Sequence, residues 1–382
     1  MQLSSRVADL QASAVREMLS AAQRPGMISF AGGLPSPETF GTLTLPPAEV
    51  DVLQYGPSEG EPALREAIAQ DLANLGLDCP AAQVLILSGS QQGIDLAAKL
   101  FVDAATPVAI QAPAYLAALQ VFRFFGARFE TLSDAQPGEG WMPGHAPSLA
   151  YVTPTFQNPT GQCWSADQRG AFAAACDRAD VCLFEDDPYR DLAYDSCERR
   201  PVVADLRKAS WIYQGSFSKT LAPGLRLGFL AASPDLFTHL VRLKQAADLH
   251  TNRLSQWIVL QHLLHPQRVS RLESLVSRYR QCRDDFAGLM HRYLGNGAVW
   301  AVPPGGLFFW ATLPPGTDVD VLMKAAMKKG VLFTPGHHFY ADRANAPPSL
   351  RLNVSHARPD QCELGLAILG DLIGQGVGAP AH

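Results

Sequence analysis

Residues 211–228 read WIYQGSFSKTLAPGLRLG, a short apolar run followed by small and hydroxyl residues around a single lysine. The run Trp211–Tyr213 predicts a buried strand, and Lys219 comes a few residues after its carboxyl end. Ligand sites of open α/β sheets lie at the carboxyl ends of the strands. This stretch therefore predicts a site built around Lys219 in an α/β protein.

Short apolar runs on both sides of this stretch predict further strands of one sheet. They are Val84–Leu87, Val108–Ile110, Leu149–Val152, Val181–Phe184 and Leu227–Leu230. Segments of helical period, such as Gly93–Phe101, lie between several of these runs. Alternating strands and helices are typical of a large lobe with a mainly parallel sheet that helices flank on both faces.

A smaller lobe is predicted after a helical stretch that runs from about Arg253 to Tyr293 and breaks near Pro266. A helix around Val319–Lys329 is mixed there with three strand signals, which indicates an α+β arrangement. The three strands are Leu307–Thr312, Val331–Phe333 and Leu350–Val354. Two lobes also agree with the length of 382 residues, which exceeds one ordinary domain.

The composition argues against several classes of function. Hydrophobic residues make up 47% and charged residues 18% of the chain, and the net charge is −5 without a long run of like charge. These values disfavour nucleic acid or an anionic membrane as a partner. No stretch approaches the roughly 18 apolar residues of a spanning helix, and the N-terminus lacks the apolar core of a signal peptide. The seven scattered cysteines form no C-x-x-C pair, so a cytoplasmic location is expected.

Lys219 is one of seven lysines, and its neighbours suit carbonyl chemistry beside a phosphate. A lysine amine is a good carbonyl nucleophile when burial or a nearby cation lowers its pKa. Arg226 supplies a cation that also suits a phosphate, and Ser216 and Ser218 offer hydroxyl donors. The alternative, a solvated lysine in a loop, is disfavoured by these neighbours.

Three carboxylates, Glu185, Asp186 and Asp187, follow the run Val181–Phe184. They suit either a divalent metal or a buried carboxylate that keeps a pyridine nitrogen protonated, so that the ring withdraws electrons from a substrate carbanion. Metal sites of this kind usually accompany a glycine-rich loop with Gly-Lys-Ser/Thr, and the chain has none. The pair His337–His338 has no partner at ligand spacing in the sequence, so no metal is predicted.

Polar residues at other strand ends suit the same ring and phosphate. Tyr189 and Asn158 are placed to hydrogen-bond a phenolic ring oxygen. Gly89, Ser90 and Gln91 open a helix, and the N–H groups at a helix N-terminus form an anion site.

Two more residues have a functional interpretation beside a structural one. Tyr115 follows the run Val108–Ile110, where it can stack on a flat ring or pack in the core. Arg351 lies within an apolar strand, where its guanidinium suits either bidentate capture of a substrate α-carboxylate or an internal salt bridge.

Taken together, these segments resemble the fold-type I pyridoxal-5′-phosphate (PLP) enzymes of the class I aminotransferase family, in its 2-aminoadipate and kynurenine-type branch. The resemblance runs from about Ala12 to His356 and includes ISFAGGLP at 28–35, LQYGPSEG at 53–60 and FTPG at 333–336. It implies an aspartate-aminotransferase-like architecture. Residues 1–45 then form an N-terminal arm and the start of the small lobe, 46–280 a large PLP-binding domain, and 281–382 a small C-terminal domain.

The resemblance implies roles for residues of the site. Lys219 carries PLP as a Schiff base and shuttles the proton between the substrate Cα and the cofactor carbon. Asp186, three residues before Tyr189, is the partner of the pyridinium nitrogen. Arg351 holds the substrate α-carboxylate.

Three further roles follow from the resemblance. Tyr55 matches a tyrosine that reaches the phosphate of the neighbouring subunit's cofactor, which requires a homodimer. Gly33 matches a backbone contact near the substrate carboxylate, and Arg16 matches a mobile N-terminal arginine that meets acidic substrate side chains. Many bacterial relatives carry a DNA-binding domain before this pattern, and a pattern that begins near Ala12 leaves no room for one.

The expected function is a PLP-dependent aminotransferase (transaminase) of amino-acid metabolism. It moves the amino group of an L-amino acid to a 2-oxo acid, with 2-oxoglutarate as the expected acceptor, through a Lys219 aldimine and a pyridoxamine phosphate intermediate. A β-lyase, decarboxylase or racemase on the same fold is the alternative, as is a non-enzymatic PLP-binding module that senses amino acids. Two departures from the family, a short segment 37–55 and Glu61 in place of an apolar residue, bear on the substrate.

Overall fold

The computed structural model describes residues 4–8, 24–40, 50–132, 137–295 and 297–379, and these contain thirteen strands and ten α-helices. The strands are β1 (Ile28–Ser29), β2 (Val84–Leu87), β3 (Pro107–Ile110), β4 (Arg128–Thr131), β5 (Leu149–Val152), β6 (Cys182–Asp186), β7 (Trp211–Ser216), β8 (Gly228–Ala232), β9 (Val299–Trp300), β10 (Phe308–Thr312), β11 (Val331–Leu332), β12 (Thr334–Pro335) and β13 (Ser349–Asn353). The helices are α1 (Ser5–Ala8), α2 (Pro62–Asn74), α3 (Ser90–Phe101), α4 (Leu116–Phe124), α5 (Ala166–Ala179), α6 (Pro234–Asp248), α7 (Arg253–Leu263), α8 (Arg268–Leu294), α9 (Val319–Lys328) and α10 (Pro359–Gly374).

Seven strands form the sheet of the large lobe, in the order β2–β8–β7–β6–β5–β3–β4. Strand β8 is antiparallel to both of its neighbours, and the other pairs are parallel. Every residue of β2, β5, β6 and β8 is buried, because two apolar layers cover the two faces of the sheet. The prediction of a mainly parallel sheet flanked by helices is confirmed.

The sequences of the helices in this lobe account for where a helix begins and for which of its faces is buried. Helix α5 begins with a capping box, in which the Ser165 hydroxyl accepts a hydrogen bond from the Gln168 N–H and the Gln168 side chain accepts one from the Ser165 N–H. Helix α3 buries Ile94, Ala97 and Ala98, which lie on one face at spacings of three and four residues. Each buried Leu or Ile stabilises the fold by about 1.5–3 kcal/mol relative to an exposed one.

The smaller lobe contains a four-stranded antiparallel sheet in the order β12–β13–β10–β9 and the parallel pair β1–β11. Strand β1 lies early in the chain but pairs with β11, and Phe30 packs in the core of this lobe. Helix α8 has 27 residues and is therefore about 40 Å long. It links the lobes, since Tyr279 packs with Tyr194 of the large lobe and Met290 packs in the small-lobe core.

Two differences from the sequence-based expectations concern strand limits. Strands β6 and β7 continue to Asp186 and Ser216, because backbone pairing goes on after the apolar runs end. Strand β4 was not predicted; it is the edge strand, and its Arg128 and Glu130 form an ion pair instead of an apolar run. In the part of the chain that the structure describes, no helix is both long and apolar enough to cross a membrane.

Candidate active site

The predicted site residues meet at the carboxyl edge of the large sheet, where the small lobe packs against it. Asp186 ends β6, Ser216 ends β7 and Gly89 separates β2 from α3. Arg351 enters from β13 of the small lobe and reaches Asn158 of the large lobe. Both lobes therefore contribute groups to one site.

Lys219 is the amine at the centre of this site. Its Nζ donates a hydrogen bond to the carbonyl oxygen of Gly33 at 2.8 Å and lies 5.7 Å from the centre of the Tyr189 ring. Burial lowers the pKa of Lys219 to about 8, with help from the positive charges of Arg351 and Arg226 and against the charge of Asp186. A substantial fraction of the amine is therefore unprotonated and nucleophilic near neutral pH.

Asp186 is a buried carboxylate with neutral hydrogen-bond donors. Tyr151 donates to its Oδ2 at 2.5 Å and Gln214 donates to its Oδ1 at 2.8 Å. Burial raises the pKa of Asp186, and the hydrogen bonds from Tyr151 and Gln214 oppose that shift. Because neither bonded partner carries a charge, a cationic group placed against this carboxylate would be stabilised.

The three consecutive carboxylates do not converge on one point, since successive side chains of a strand point to opposite faces. Glu185 accepts a hydrogen bond from the Val203 N–H at 3.1 Å, and Asp187 accepts one from the Tyr213 hydroxyl at 2.9 Å. Burial raises the pKa of Glu185 to about 8 and that of Asp187 to about 6. This separation favours the interpretation of Asp186 as a lone carboxylate over a metal site of three.

The predicted phosphate site forms at the start of α3. The first N–H groups of a helix have no intrahelical acceptor, and here they belong to Ser90 and Gln91. Gly89 has φ +82°, and a Cβ there would lie 2.5 Å from Nη2 of Arg226. Only glycine therefore allows the guanidinium to approach the loop so closely.

Two serines extend the same cradle. The Ser216 hydroxyl accepts a hydrogen bond from the Ser218 N–H at 3.2 Å, which stabilises the turn after β7. A Cβ on Gly228 would lie 2.8 Å from the Ser90 nitrogen, which shows how closely β8 approaches that helix. Backbone N–H groups, hydroxyls and a guanidinium in this arrangement suit a phosphate.

Arg351 is buried without a carboxylate partner among the described residues. Its Nη1 donates to Asn158 Oδ1 at 2.6 Å, and its Nη2 donates to the Ala31 carbonyl. The guanidinium carbon lies 4.2 Å from the ring centre of Phe308 and 4.9 Å from that of Phe339. Burial lowers the pKa of Arg351 to about 10, so an anion would stabilise it. The alternative of an internal salt bridge at Arg351 is wrong for the residues described.

Two tyrosines complete the wall of the site. Tyr189 is buried and hydrogen-bonds Asn158, and burial raises its pKa. Tyr115 is the residue before α4, and burial followed by the charge of Asp186 raises its pKa to about 12. Tyr115 also packs against an apolar core of the large lobe, so its stacking on a ring stays a prediction.

Other predicted residues lie away from this site or outside the residues that the structure describes. Tyr55 is 76% exposed, and its ring lies 5.7 Å from that of His250. Arg16 lies outside the described residues, as do positions 41–49 of the short segment. Glu61, the second departure from the family pattern, accepts a hydrogen bond from Arg253 Nε at 2.5 Å. Glu61 thus forms an ion pair with Arg253, which also binds Asp51 and so fixes the segment before Glu61.

Several groups of the site were not identified from the sequence. Tyr151 and Gln214 bind Asp186, and Phe308 and Phe339 enclose Arg351. Gln214 stands in the quoted lysine stretch and pairs with Asp186 across adjacent strands, so the strand order would have indicated it. The two phenylalanines come from distant parts of the chain and carry no local signal.

Two further features are a cavity that borders this group of residues at Ser216 and a pair of histidines in the small lobe. A cavity of about 630 Å³ lies behind the lysine loop, where Asp187, Arg190 and Thr220 contribute to its lining. His337 and His338 lie beside Asp320, with 3.7 Å between His337 Nε2 and the Asp320 carboxylate. The sequence had suggested no third partner for this pair; the absence of a metal stays a prediction.

The residues present fit PLP group by group. The cradle of Gly89, Ser90 and Arg226 suits the phosphate, and the tight approach of Arg226 to Gly89 leaves no room for a side chain there. Asp186, which has only neutral partners, suits a protonated pyridine nitrogen. Lys219, with its lowered pKa, suits the aldehyde.

Comparison with known proteins agrees with this assignment. The model of the family "Aminotransferase class I and II" matches residues 47–369. The aromatic-amino-acid aminotransferase 1 of Thermococcus litoralis is 33% identical over 97% of this chain and 93% of its own length. The 2-aminoadipate transaminase of Thermus thermophilus is 36% identical over 92% of this chain and 91% of its own length.

A solved structure is similar along the whole chain. The kynurenine aminotransferase of Pyrococcus horikoshii, in complex with PMP, has a TM-score of 0.89 and 30% identity, with 99% of this chain and 98% of that chain covered. Together with the site geometry, these likenesses support transamination over the other PLP reactions and over a sensing module. The chain belongs to the class I and II aminotransferase family and is a PLP-dependent aminotransferase of fold type I.

Proposed function

We propose that Lys219 binds PLP and moves the substrate proton in a transfer of amino groups from aromatic or acidic L-amino acids to 2-oxoglutarate. One observation carries the assignment of the lysine. Its buried amine has a carbonyl as its hydrogen-bond partner and is flanked by the charges of Asp186, Arg351 and Arg226. A lysine that served only to stabilise the fold would be paired with a carboxylate.

Different residues would bind the different polar groups of PLP. Gly89, Ser90 and Gln91 face the phosphate with backbone and hydroxyl donors. Ser216, Ser218 and Arg226 would close the cradle from the other side. Asp186 would hold a proton at the pyridine nitrogen, and Tyr151 and Gln214 fix both of its oxygens in place.

Three residues act on the ring itself. Asn158 and Tyr189 hydrogen-bond each other and would share the phenolic oxygen of the ring. Tyr115 would stack on its face. The three side chains would orient the ring so that the Cα of a bound amino acid lies beside Lys219.

Bound PLP supplies an electron sink that stabilises negative charge at the substrate Cα. The Lys219 amine would act as the base that takes the proton from the substrate Cα, and its protonated form would then donate that proton again. A base positioned in this way is typically worth about 10²- to 10⁴-fold in rate. Gly33 assists because its carbonyl accepts the hydrogen bond that orients Nζ.

The substrate α-carboxylate would bind Arg351. The guanidinium is held by Asn158 Oδ1 and by the Ala31 carbonyl, while its Nε is buried without a partner in the described part of the chain. A carboxylate would supply both the acceptor and the missing negative charge. Gly33, near the same point, would contact it through its backbone.

The donor class rests on the relatives. Their names specify aromatic amino acids, 2-aminoadipate and kynurenine. We extend this range to the present chain, with Arg16 as the residue that would meet an acidic side chain and move aside for an aromatic one. 2-Oxoglutarate is proposed as the acceptor because it offers a carboxylate to each of these arginines.

We also propose that the enzyme is a cytoplasmic homodimer. Leu53 and Tyr55 are more than three-quarters exposed on the single chain, although Arg253 fixes their segment by ion pairs with Asp51 and Glu61. A rigid, exposed apolar segment suits a contact with a second copy. Tyr55 would reach the partner's phosphate from there. The domain limits 1–45, 46–280 and 281–382 stay a proposal, as does the location, which rests on seven free thiols.

The test is a panel of amino donors with 2-oxoglutarate and the holoenzyme, with glutamate as the measured product. Aromatic amino acids, kynurenine and 2-aminoadipate should give the highest kcat/KM. Arg16→Ala should lower kcat/KM for 2-aminoadipate more than for phenylalanine. Release of ammonia or carbon dioxide, or racemisation, without glutamate would contradict the proposal.

A further inference from the structure

We propose that Asp248 is a positioning residue for the cofactor phosphate, because it fixes the loop Gly89–Gln91 through hydrogen bonds with Ser88 and Gln92. The inference rests on the proposed function, in which that loop binds the phosphate. Asp248 is the last residue of α6, and it lies 160 positions from Ser88 in the sequence. Nothing in the local sequence connects the two.

Three donors converge on the Asp248 carboxylate. Its Oδ2 accepts from the Ser88 hydroxyl at 2.8 Å and from Gln92 Nε2 at 2.9 Å. Its Oδ1 accepts from Lys244 Nζ at 2.5 Å. A carboxylate accepts at both oxygens, whereas an asparagine offers one acceptor and one donor group, so only Asp serves all three.

Gln92 closes the loop that lies between its ends. Its Oε1 accepts from the Ser88 N–H at 2.9 Å, and its own N–H donates to the Gly89 carbonyl at 3.1 Å. Because the Oε1 is used in this way, the amide nitrogen has to face Asp248. Ser88 and Gln92 thus hold the two ends of the loop, and Asp248 holds both of them.

Lys244 keeps Asp248 in place. Its side chain is fully buried, and Asp248 is the group that its amine contacts. Burial lowers the pKa of Lys244, and the hydrogen bond and charge of Asp248 oppose that shift. Loss of the carboxylate would leave a buried cation without its counter-ion. The pair within α6 therefore holds the Asp248 carboxylate in the position where Ser88 and Gln92 bind it.

The loop has little freedom to change shape without losing its ligand geometry. Gly89 approaches Arg226, and Gly228 approaches the Ser90 nitrogen, at distances that exclude a Cβ. A rotation of the loop would turn the first N–H groups of α3 away from the phosphate that they would bind. We therefore expect Asp248 to influence phosphate affinity without contact with the cofactor.

The experiment compares Asp248→Asn with wild type and with Asp235→Asn. Asp235 lies at the other end of the same helix and accepts from Ser210 at 2.5 Å, so it is a matched control. Holoenzymes are dialysed against graded PLP, and occupancy is read from the visible absorbance of the bound cofactor. We expect Asp248→Asn to weaken PLP binding about 10-fold, and Asp235→Asn to leave it unchanged.

Pyridoxal, which lacks the phosphate, separates positioning from a general structural defect. Its affinity should be the same in Asp248→Asn and wild type, and kcat at saturating PLP should stay within about threefold. Gln92→Ala, which keeps the Lys244–Asp248 pair, should weaken PLP binding alone and add little in the double variant. This second variant serves if Asp248→Asn folds poorly.

Two results would overturn the inference. Equal PLP affinity in Asp248→Asn and wild type would show that the loop does not depend on Asp248. An equal loss for PLP and pyridoxal would show a defect unrelated to the phosphate. If the wild type itself bound no PLP, the proposed function would fail as well, and these outcomes are therefore distinguishable.

Discussion

The large lobe contains two lysines in contrasting surroundings, Lys219 at the active site and Lys244 within helix α6. Lys244 is fully buried, and its amine meets the carboxylate of Asp248 at 2.5 Å. The amine of Lys219 meets a neutral carbonyl, that of Gly33, and burial lowers its pKa to about 8. The paired lysine stabilises the end of helix α6, and the unpaired lysine keeps a reactive amine.

The same contrast extends to other charges of the two regions. Away from the site, the buried Arg169 lies 3.8 Å from Glu185, and Arg253 pairs with Glu61. Within the site, Asp186 and Arg351 have neutral hydrogen-bond partners among the described residues. A buried unpaired charge costs several kcal/mol. The fold retains unpaired charges at positions where a ligand can supply the opposite charge. The protonated pyridine nitrogen of PLP would do so for Asp186, and the α-carboxylate of an amino acid would do so for Arg351.

The largest effect on turnover is expected for Lys219→Ala, which removes the unpaired amine. We expect turnover to fall at least about 10³-fold, because both the covalent partner and the base are lost. The apoprotein should nevertheless unfold within a few degrees of wild type, because the amine has no ion pair to lose. Steady-state rates and thermal unfolding check the two expectations. A variant that turned over normally would refute the role of Lys219.

The next largest effect is expected for Asp186→Asn, with Asp187→Asn as its control on the opposite face of β6. Loss of one member of a buried charge pair costs about 3–5 kcal/mol, which corresponds to roughly 10²- to 10⁴-fold in kcat/KM. Asp187→Asn should change kcat/KM by only a few-fold, because Asp187 binds Tyr213 and not the site. Equal losses in the two variants would contradict the assignment of Asp186.

Arg351→Lys tests whether the unpaired guanidinium binds the substrate. An ammonium cannot reproduce the bidentate contact of a guanidinium. We therefore expect KM for the amino donor to rise about 10- to 100-fold, the cost of one or two charge-assisted hydrogen bonds. PLP affinity should not change, since Arg351 would contact the substrate. An unchanged KM would assign Arg351 to the fold alone.

How much of the site the sequence predicts depends on how local each group is. Lys219, Asp186 and Asn158 each stand beside an apolar run, so the rule that ligands bind at strand ends is enough to group them. Phe308 and Phe339, which enclose Arg351, come from different elements and carry no such mark. Tyr151 looks like an ordinary strand residue until the pairing of β5 with β6 brings it to Asp186.

The fold shows the same division between local and long-range information. The limits of buried strands such as β2 and β5 are predicted correctly at both ends. Each is an apolar run of four residues with turn residues on both sides, a pattern typical of a buried strand. The polar edge strand Arg128–Thr131 has no such run, since its side chains face solvent. The role of Asp248 could not be predicted either, because its partners Ser88 and Gln92 come from a distant helix end.

The smallest effect expected is a pH dependence of the free amine. A folded-state pKa of about 8 means that Lys219 is protonated below this pH and becomes a nucleophile as the pH rises through it. The rate at which the apoprotein condenses with pyridoxal should therefore rise with a midpoint near pH 8. A midpoint near the ordinary value of about 10.4 for lysine would contradict the unpaired, buried setting of the amine.

The most direct test is to reduce the holoenzyme with borohydride, digest it and locate the phosphopyridoxyl group by mass spectrometry. The chain has seven lysines, so the result is unambiguous. We expect a single label on Lys219, between Gln214 and Arg226. A label on another lysine, Lys244 included, or no label on a protein that binds PLP would contradict the assignment.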